Sequence, residues 1–117
     1  MARVVIENTE LKFNVASVVE AAEAVDATAG AEVAMGADQK TLVLVSNTSV
    51  DTAADVTVKA GNGLQGTYDY TVEVAAGTTV ALCMESGAFK QVRGADAGKM
   101  IIIGESDDIE VQCIVLP

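Results

Sequence analysis

One stretch of the sequence has the glycine spacing of a dinucleotide-binding loop. Residues 61–66, Gly-Asn-Gly-Leu-Gln-Gly, match the pattern G-x-G-x-x-G, in which a strand leads into a tight turn and the pyrophosphate lies at the N-terminus of the following helix. Residues 55–59 alternate between apolar and polar side chains, as a strand does, but residues 68–74 alternate as well. Because no helix follows the glycines, the sequence predicts a glycine-rich loop between two strands and no nucleotide site.

The densest group of oxygen ligands is the acidic segment at residues 105–110, Glu-Ser-Asp-Asp-Ile-Glu. Carboxylates bind Ca²⁺, but a calcium-binding loop between two helices places its ligands at alternate positions around a central glycine. That spacing is absent here. We interpret the segment as a solvated hairpin loop whose charge opposes edge-to-edge association of sheets. We expect no metal and no cofactor.

The chain has two cysteines, Cys83 and Cys113, and no histidine. A thiol nucleophile needs an activating base, and the absence of histidine also excludes a His-based acid–base site and a Ser-His-Asp triad. The spacing of the cysteines matches no zinc or redox motif. We therefore expect both cysteines to be buried small apolar residues rather than a disulfide. We expect the protein not to be an enzyme.

Composition limits the classes of partner. The net charge is −10, so the protein's own field opposes binding to a phosphate backbone, and aromatic residues make up only 3%, which leaves few rings for stacking on sugars or bases. No stretch approaches the ~20 apolar residues of a membrane span, and the N-terminal residues lack the apolar region of a signal peptide. We expect a protein that matures in the cytoplasm and binds neither nucleic acid nor membranes.

The elements that would position any site are strands. Continuous apolar runs at residues 41–45 and 100–103 are typical of central strands, and alternation at residues 55–59, 68–74 and 109–116 is typical of strands with one buried face. Such strands, at intervals of roughly 10–15 residues and ended by turn residues, are typical of an antiparallel sandwich or barrel.

The strand order also predicts one hairpin and the domain organisation. The alternation of residues 68–74 places Tyr68 and Tyr70 with the core-facing valines, and residues 79–84 are expected to return beside this strand after an Ala-Gly turn. Half of the chain is hydrophobic, and it has neither a linker nor a repeat. Residues 1–117 are therefore predicted to form a single all-β domain, an antiparallel β-sandwich of jelly-roll or Greek-key type.

The region before the first long strand leaves two alternatives open. Residues 17–20, Ser-Val-Val-Glu, have the form of a helix capping box among apolar residues at helical spacing, which favours one short helix near residues 17–25. Valine is β-branched and a middling helix former, which favours an irregular strand instead. Residues 27–40 are predicted to be a loop that carries a small edge strand.

Some strands have apolar side chains on both faces and need a second cover. Residues 42–45, 100–103 and 113–116 are of this kind, whereas a two-layer sandwich buries one face of each sheet. Either residues 1–35 of the same chain or a neighbouring subunit would supply the cover. Residues 1–13 are interpreted as an N-terminal arm that pairs as an added strand with a neighbour. The interface candidates are basic and apolar residues of this arm: Arg3, Val4, Val5, Ile6, Leu11 and Phe13.

Three segments carry a resemblance to a known class of proteins. They are residues 39–47 (Gln-Lys-Thr-Leu-Val-Leu-Val-Ser-Asn), 56–61 (Val-Thr-Val-Lys-Ala-Gly) and 85–90 (Glu-Ser-Gly-Ala-Phe-Lys), preceded by a short N-terminal strand and an alanine-rich acidic stretch. In this order they resemble the small β-sandwich proteins of tailed-bacteriophage structural gene clusters, which include head decoration (cement) proteins.

The resemblance implies a non-enzymatic structural protein of the virion. Decoration proteins bind the outside of the expanded capsid, often as trimers, and clamp neighbouring capsomers. The implied partner is the major capsid protein lattice, the implied state is a homo-oligomer with a trimer favoured, and the implied location is the capsid surface, after synthesis in the host cytoplasm. The alternatives are a tail or head–tail junction subunit and a host-surface or carbohydrate-binding module.

Overall fold

Ten strands form two sheets in the computed structural model, which describes residues 3–117. The strands are β1 (Val4–Ile6), β2 (Asn8–Glu10), β3 (Glu23–Ala24), β4 (Ala31–Ala34), β5 (Thr41–Asn47), β6 (Ala54–Val58), β7 (Tyr70–Val74), β8 (Thr79–Leu82), β9 (Lys99–Gly104) and β10 (Ile109–Val115). A 3-10 turn (Asp38–Lys40) precedes β5, and one helical turn, α1 (Ser86–Phe89), follows β8. Sheet A has the order β1-β4-β9-β6-β7, and sheet B has the order β2-β10-β5-β8, with β3 also pairing with β10.

The two sheets enclose one apolar core, so the predicted all-β sandwich is confirmed. The central strand β5 shows why: Val43 and Val45 are at most 1% exposed, while the intervening Leu42 and Leu44 are only half-buried. Alternate side chains of a strand point to opposite faces of its sheet, so this pattern places one face of β5 in the core. Ile102 in sheet A is also completely buried.

The sheets are antiparallel except at the N-terminus. β1 pairs with β4, and β2 pairs with β10, in the parallel direction. Only Glu7 separates β1 from β2, so the chain keeps its direction as it passes from sheet A to sheet B. The first residues therefore connect the two layers along one side of the sandwich.

The predicted hairpin of residues 68–74 with residues 79–84 is wrong. β7 pairs with β6 in sheet A, whereas β8 pairs with β5 in sheet B. The four residues between them form a corner between the sheets, where the Asn47 amide donates to the Thr78 carbonyl at 2.9 Å and the Gly77 amide donates to the Asn47 carbonyl at 2.9 Å. A tight turn joins two strands equally well within one sheet or across two, so turn residues alone do not identify the pairing.

The two tyrosines of the β7 region are not core residues. Tyr68 is 58% exposed and precedes β7, and Tyr70 is 37% exposed although it stands in register with the fully buried Val58. β7 is an edge strand of sheet A. Along it, Val72 is half-buried and only Val74, near the corner, is fully buried. The alternation was correctly assigned, but the sandwich is open at the end of β7 where Tyr70 lies.

Residues 17–25 form no helix; residues 17–22 are loop, and only Glu23–Ala24 form a short strand, β3. The capping box is not used, because the Ser17 hydroxyl donates to the Glu10 carbonyl. The Glu20 amide donates to Thr9 Oγ1 at 2.7 Å, and Gln112 Nε2 donates to the Glu20 carbonyl at 2.9 Å. Side chains thus take the backbone hydrogen bonds that a helix would otherwise form.

The strand predicted at the edge within residues 27–40 is an inner strand. β4 lies between β1 and β9 in sheet A, and three of its four residues are buried. The alanines of this segment made the strand hard to predict, because only Val33 gives it a strong strand signal.

In the part of the chain that the structure describes, no helix is long and apolar enough to cross a membrane.

Candidate interaction surface

The predicted N-terminal arm is part of the sandwich. β1 and β2 pair with strands of the same chain, and residues 1–2 of the arm lie outside the described residues. Ile6 is 4% exposed and belongs to the core, Val4 packs against the core, and Val5 on the opposite face is 59% exposed. β1 is the other edge strand of sheet A, so its outer edge is open to another strand. Pairing of a neighbour at this edge stays a prediction.

Arg3 holds this edge strand to the rest of sheet A. Its guanidinium lies 2.7 Å from an Asp96 carboxylate oxygen and 3.6 Å from one of Glu32, and the Lys99 ammonium lies 2.6 Å from Glu32. Glu32 is 9% exposed, so its charge is compensated by two cations where little water reaches it. Arg3 is therefore engaged within its own chain.

Residues 11–22, which we name the apolar loop, carry the largest run of exposed apolar side chains. The loop leaves the edge of β10 after β2 and returns to it at β3, and Leu11 at its start is half-buried. Its other large apolar residues are mostly exposed: Phe13 (77%), Val15 (62%), Val18 (92%) and Val19 (50%). Of the arm candidates in this loop, Phe13 is thus fully available to a partner and Leu11 only in part.

The N-terminal region also supplies part of the cover that the two-faced strands need. Thr9 stands in register with Ile114 and Leu42 on the outer face of sheet B. It is only 3% exposed, because the apolar loop passes over it and Glu20 donates to its hydroxyl. Ile114 and Leu42 themselves stay half-buried. The cover from the same chain is therefore real but incomplete.

Basic residues are concentrated at one end of the sandwich, whereas carboxylates occur at both ends. At one end, which we name the acidic end, lie the turns at residues 25–30, 48–53, 75–78 and 105–108, which contain no lysine or arginine. Five carboxylates belong to these turns, and Asp55 at the second position of β6 is a sixth beside them: Asp26, Asp51, Asp55, Glu105, Asp107 and Asp108. At the opposite end, the basic end, lie six of the seven basic residues: Lys12, Lys40, Lys59, Lys90, Arg93 and Lys99.

The acidic segment predicted to be a hairpin loop connects the two sheets instead. Residues 105–108 join β9 of sheet A to β10 of sheet B, so the hairpin interpretation is wrong, while Asp107 and Asp108 are exposed as expected. The Glu105 carboxylate accepts the Asp55 amide at 2.7 Å, which ties this turn to β6. Across residues 3–117, no three His, Cys, Asp or Glu side chains are grouped in a way that could hold a metal ion.

In a second turn of the acidic end, at residues 25–30, backbone amides stabilise the ionised carboxylate of Asp26. The Asp26 carboxylate accepts the amides of Ala29 (2.7 Å) and Thr28 (2.9 Å), and these hydrogen bonds lower the pKa of Asp26 below 3.8. The turn is further shaped by Gly30, whose φ of +84° is a left-handed conformation. This carboxylate is a turn-forming group and not a free ligand.

A shallow depression of about 320 Å³ opens between the edges of β7 and β8. Its lining includes Tyr68, Tyr70, Met84, Glu85 and Phe89. The Tyr68 and Phe89 rings meet edge to face, with centroids 5.6 Å apart and planes at 82°. The depression therefore offers partly exposed rings beside one carboxylate, a surface suited to stacking rather than to bond-making chemistry.

The two cysteines occupy opposite environments. Cys113 is buried in β10, and burial raises the pKa of its thiol to about 11. Cys83 is exposed beside the depression, and its Sγ donates to the Asp38 carbonyl at 3.1 Å. The two are free thiols, as predicted, but the expectation that both are buried is wrong for Cys83, because it follows the buried Leu82 on an edge strand and points to the other face.

The glycine-rich segment at residues 61–66 is a loop between β6 and β7, as predicted. A Cβ on Gly66 would overlap the Gly61 carbonyl, and a Cβ on Gly61 would overlap the Lys90 carbonyl. The Gly61 amide donates to the Ala88 carbonyl at 2.8 Å. These glycines therefore let the loop close on itself and pack against the backbone of α1.

The chain matches no protein-family model, no curated protein and no solved structure in comparisons with known proteins. The site has to be argued from its own residues. Sequence reasoning missed the exposure of Val18 and Val19, which it assigned to a helix face or a strand.

Proposed function

We propose that this chain is a non-enzymatic structural protein of a tailed-bacteriophage virion. Specifically, it is a head decoration protein that binds the outside of the major capsid protein lattice, as a homo-oligomer with a trimer favoured, and stabilises the shell. The proposal takes up the resemblance carried by residues 39–47, 56–61 and 85–90, which in the structure contain β5, the end of β6 and α1. These segments belong to the framework of the sandwich.

The observation that carries the proposal is the apolar loop. The sandwich encloses its core without Phe13, Val15, Val18 and Val19, so these exposed side chains do not stabilise the fold by burial. Contiguous exposed apolar side chains mark protein–protein contacts, whereas single scattered ones do not. A modest contact of this size holds firmly when many copies bind one lattice.

Purified protein mixed with undecorated, expanded shells of the major capsid protein from the same gene cluster tests this proposal. We expect saturable co-sedimentation and a higher temperature of shell rupture, with a trimer in native mass spectrometry. A V18S/V19S variant should bind weakly, while V50S, which removes the 95% exposed valine of the acidic end, should bind as the wild type does. Binding to tails or connectors but not to shells would assign the head–tail alternative.

The N-terminal arm is tested separately at β1. The Val4 amide donates to the Gly30 carbonyl at 3.1 Å, and amides of successive strand residues point to opposite sides, so the Val5 amide faces the open edge. A V5P variant removes that donor, and proline is tolerated at such edge positions. If a neighbour pairs with β1, V5P loses oligomer mass and shell occupancy while staying folded. Unchanged mass and occupancy would refute arm pairing.

The depression between β7 and β8 favours a carbohydrate-binding module as the second candidate. Sugar sites need a ring to stack on, and Tyr68 and Tyr70 are both partly exposed there, next to Glu85. A glycan array tests this function. Hits that disappear in a Y68A/Y70A variant would support it, and an array without hits would remove it.

A further inference from the structure

The basic end holds cations that make no ion pair with another described residue. Ion pairs in the described residues engage Arg3, Lys59 and Lys99. The remaining basic residues make no ion pair there: Lys12, Lys40, Lys90 and Arg93. In a protein of net charge −10, carboxylates are abundant, so four cations without an ion pair at one end are available to carboxylates of a partner.

Two of these cations border exposed apolar side chains. The Leu11 amide donates to the Val115 carbonyl at 2.8 Å, and the Leu116 amide donates to the Lys40 carbonyl at 2.7 Å. These bonds bring the start of the apolar loop and the end of β10 to the 3-10 turn before β5. We name the resulting surface the Phe13 patch; its residues are Lys12, Phe13, Val15, Lys40 and Leu116. Lys12 and Val15 also pair across the turn of the loop.

We infer that the chain docks through the Phe13 patch onto an apolar protein surface bordered by carboxylates, with the acidic end turned away from it. This inference rests on the proposed function, in which that surface belongs to the outside of the capsid shell. Lys12 and Lys40 flank Phe13 (77% exposed) and Leu116 (40% exposed), which matches an apolar contact surrounded by opposite charge.

The charges also decide the orientation. The turns of the acidic end carry carboxylates and no cation, whereas at the basic end the cations offset carboxylates such as Glu10, Asp38 and Glu85, so an acidic surface would repel the acidic end more strongly than the basic end. The field of the molecule therefore orients it during approach, before any apolar contact forms, and this steering weakens as salt screens the charges. The Phe13 patch thus provides the apolar contact, and its lysines help to orient the molecule during approach.

Variants of equal net charge separate the two ends. K12Q/K40Q changes the net charge from −10 to −12 at the basic end, and V50E/A53E makes the same change at the acidic end. F13S and V50S form a second pair, which removes one exposed apolar side chain at each end. Each variant is titrated against the undecorated shells at about 50 mM and about 300 mM NaCl, after its unfolding temperature has been measured.

We expect K12Q/K40Q to bind about tenfold more weakly than the wild type at low salt, with a smaller difference at high salt. F13S should lose about tenfold or more at both salt concentrations. V50E/A53E and V50S should bind as the wild type does. Equal losses in both members of a pair, or losses only at the acidic end, would overturn the inference while leaving shell binding intact. Failure of the wild type to bind shells would instead remove the proposed function, and the docking inference with it.

Discussion

Replacing Asn47 with alanine should destabilise the fold more than any change to an exposed asparagine. Asn47 is 2% exposed at the end of β5, and its Nδ2 donates to the carbonyls of Thr52 (2.8 Å) and Val74 (3.0 Å). Its Oδ1 accepts the Ser49 amide at 3.0 Å. One side chain thus joins β5 of sheet B to the end of β7 in sheet A and orders the turn between β5 and β6.

The magnitude follows from those three hydrogen bonds. Each contributes about 1 kcal/mol net, and a buried carbonyl left without a donor costs about 1–3 kcal/mol. Val74 is fully buried, so its carbonyl loses a donor that water cannot replace. We expect N47A to lower the free energy of unfolding by about 3 kcal/mol. For a chain of 117 residues this corresponds to about 12 °C in Tm.

Asn62 provides the matched control. It also makes three side-chain hydrogen bonds, two from the amides of Val92 and Arg93 to its Oδ1 and one from its Nδ2 to the Arg93 carbonyl, but it is exposed. Water replaces those partners, so N62A should cost less than about 1 kcal/mol in urea unfolding followed by circular dichroism. Equal losses for N47A and N62A would refute the reasoning that burial sets the cost.

Three further predictions follow from the turns and the thiols. G30A should be destabilised by more than about 2 kcal/mol, because its Cβ would overlap the Ile102 carbonyl, whereas G77A, with open space around its Cβ, should lose only about 1 kcal/mol for its positive φ. Comparable urea midpoints for the two variants would contradict this. A thiol reagent at about pH 8 should modify only Cys83 in the native protein, since Cys113 is buried and its pKa is raised to about 11; fast labelling of both would contradict the fold. Hydrogen bonds from amides or side chains lower the pKa of three carboxylates below 3.8: Asp26, Asp38 and Asp69. Their folded pKa values lie below the unfolded ones, so the stability they contribute is present above pH 3.8 and is lost as the pH falls below it; the urea midpoint should drop on acidification, and less steeply in D26N/D38N/D69N.

The strands of the second half of the chain were predictable because the pattern of apolar residues shows directly which side chains are buried. The run at residues 41–45 is a central strand, and the alternation at residues 55–59 matches a strand with one buried face. Such patterns report which side chains are buried, and burial of apolar surface is the largest favourable term in folding. The glycine-rich loop at residues 61–66 was also predictable, because the motif requires a helix that the sequence does not offer.

Strand partners and the N-terminal region were not predictable on the same basis. The assignment of β7 and β8 to different sheets depends on hydrogen bonds between the corner and Asn47, which local composition does not report. The strand β4 is carried mainly by Val33, and the backbone of residues 17–22 is held by Thr9 and Gln112, far away in the sequence. Long-range side-chain contacts therefore decided the elements that periodicity left open.

The candidate site was predictable only in part. Phe13 was singled out and is exposed, whereas Ile6, from the same arm, is a core residue. The concentration of basic residues at one end of the sandwich is not apparent in the sequence, where charged residues are spread along the chain. It arises because successive turns of an up-and-down chain collect at opposite ends of the sandwich, and the basic residues fall almost entirely in one set of turns.

The parallel pairing of β2 with β10 has a mechanical consequence. Tension between the two termini pulls β2 and β10, adjacent parallel strands, in opposite directions along their length. Their hydrogen bonds then bear the load together, whereas pulling at one end of an antiparallel pair breaks bonds one after another. Tension applied between the two termini is therefore resisted by the three residue pairs of this seam together, in shear.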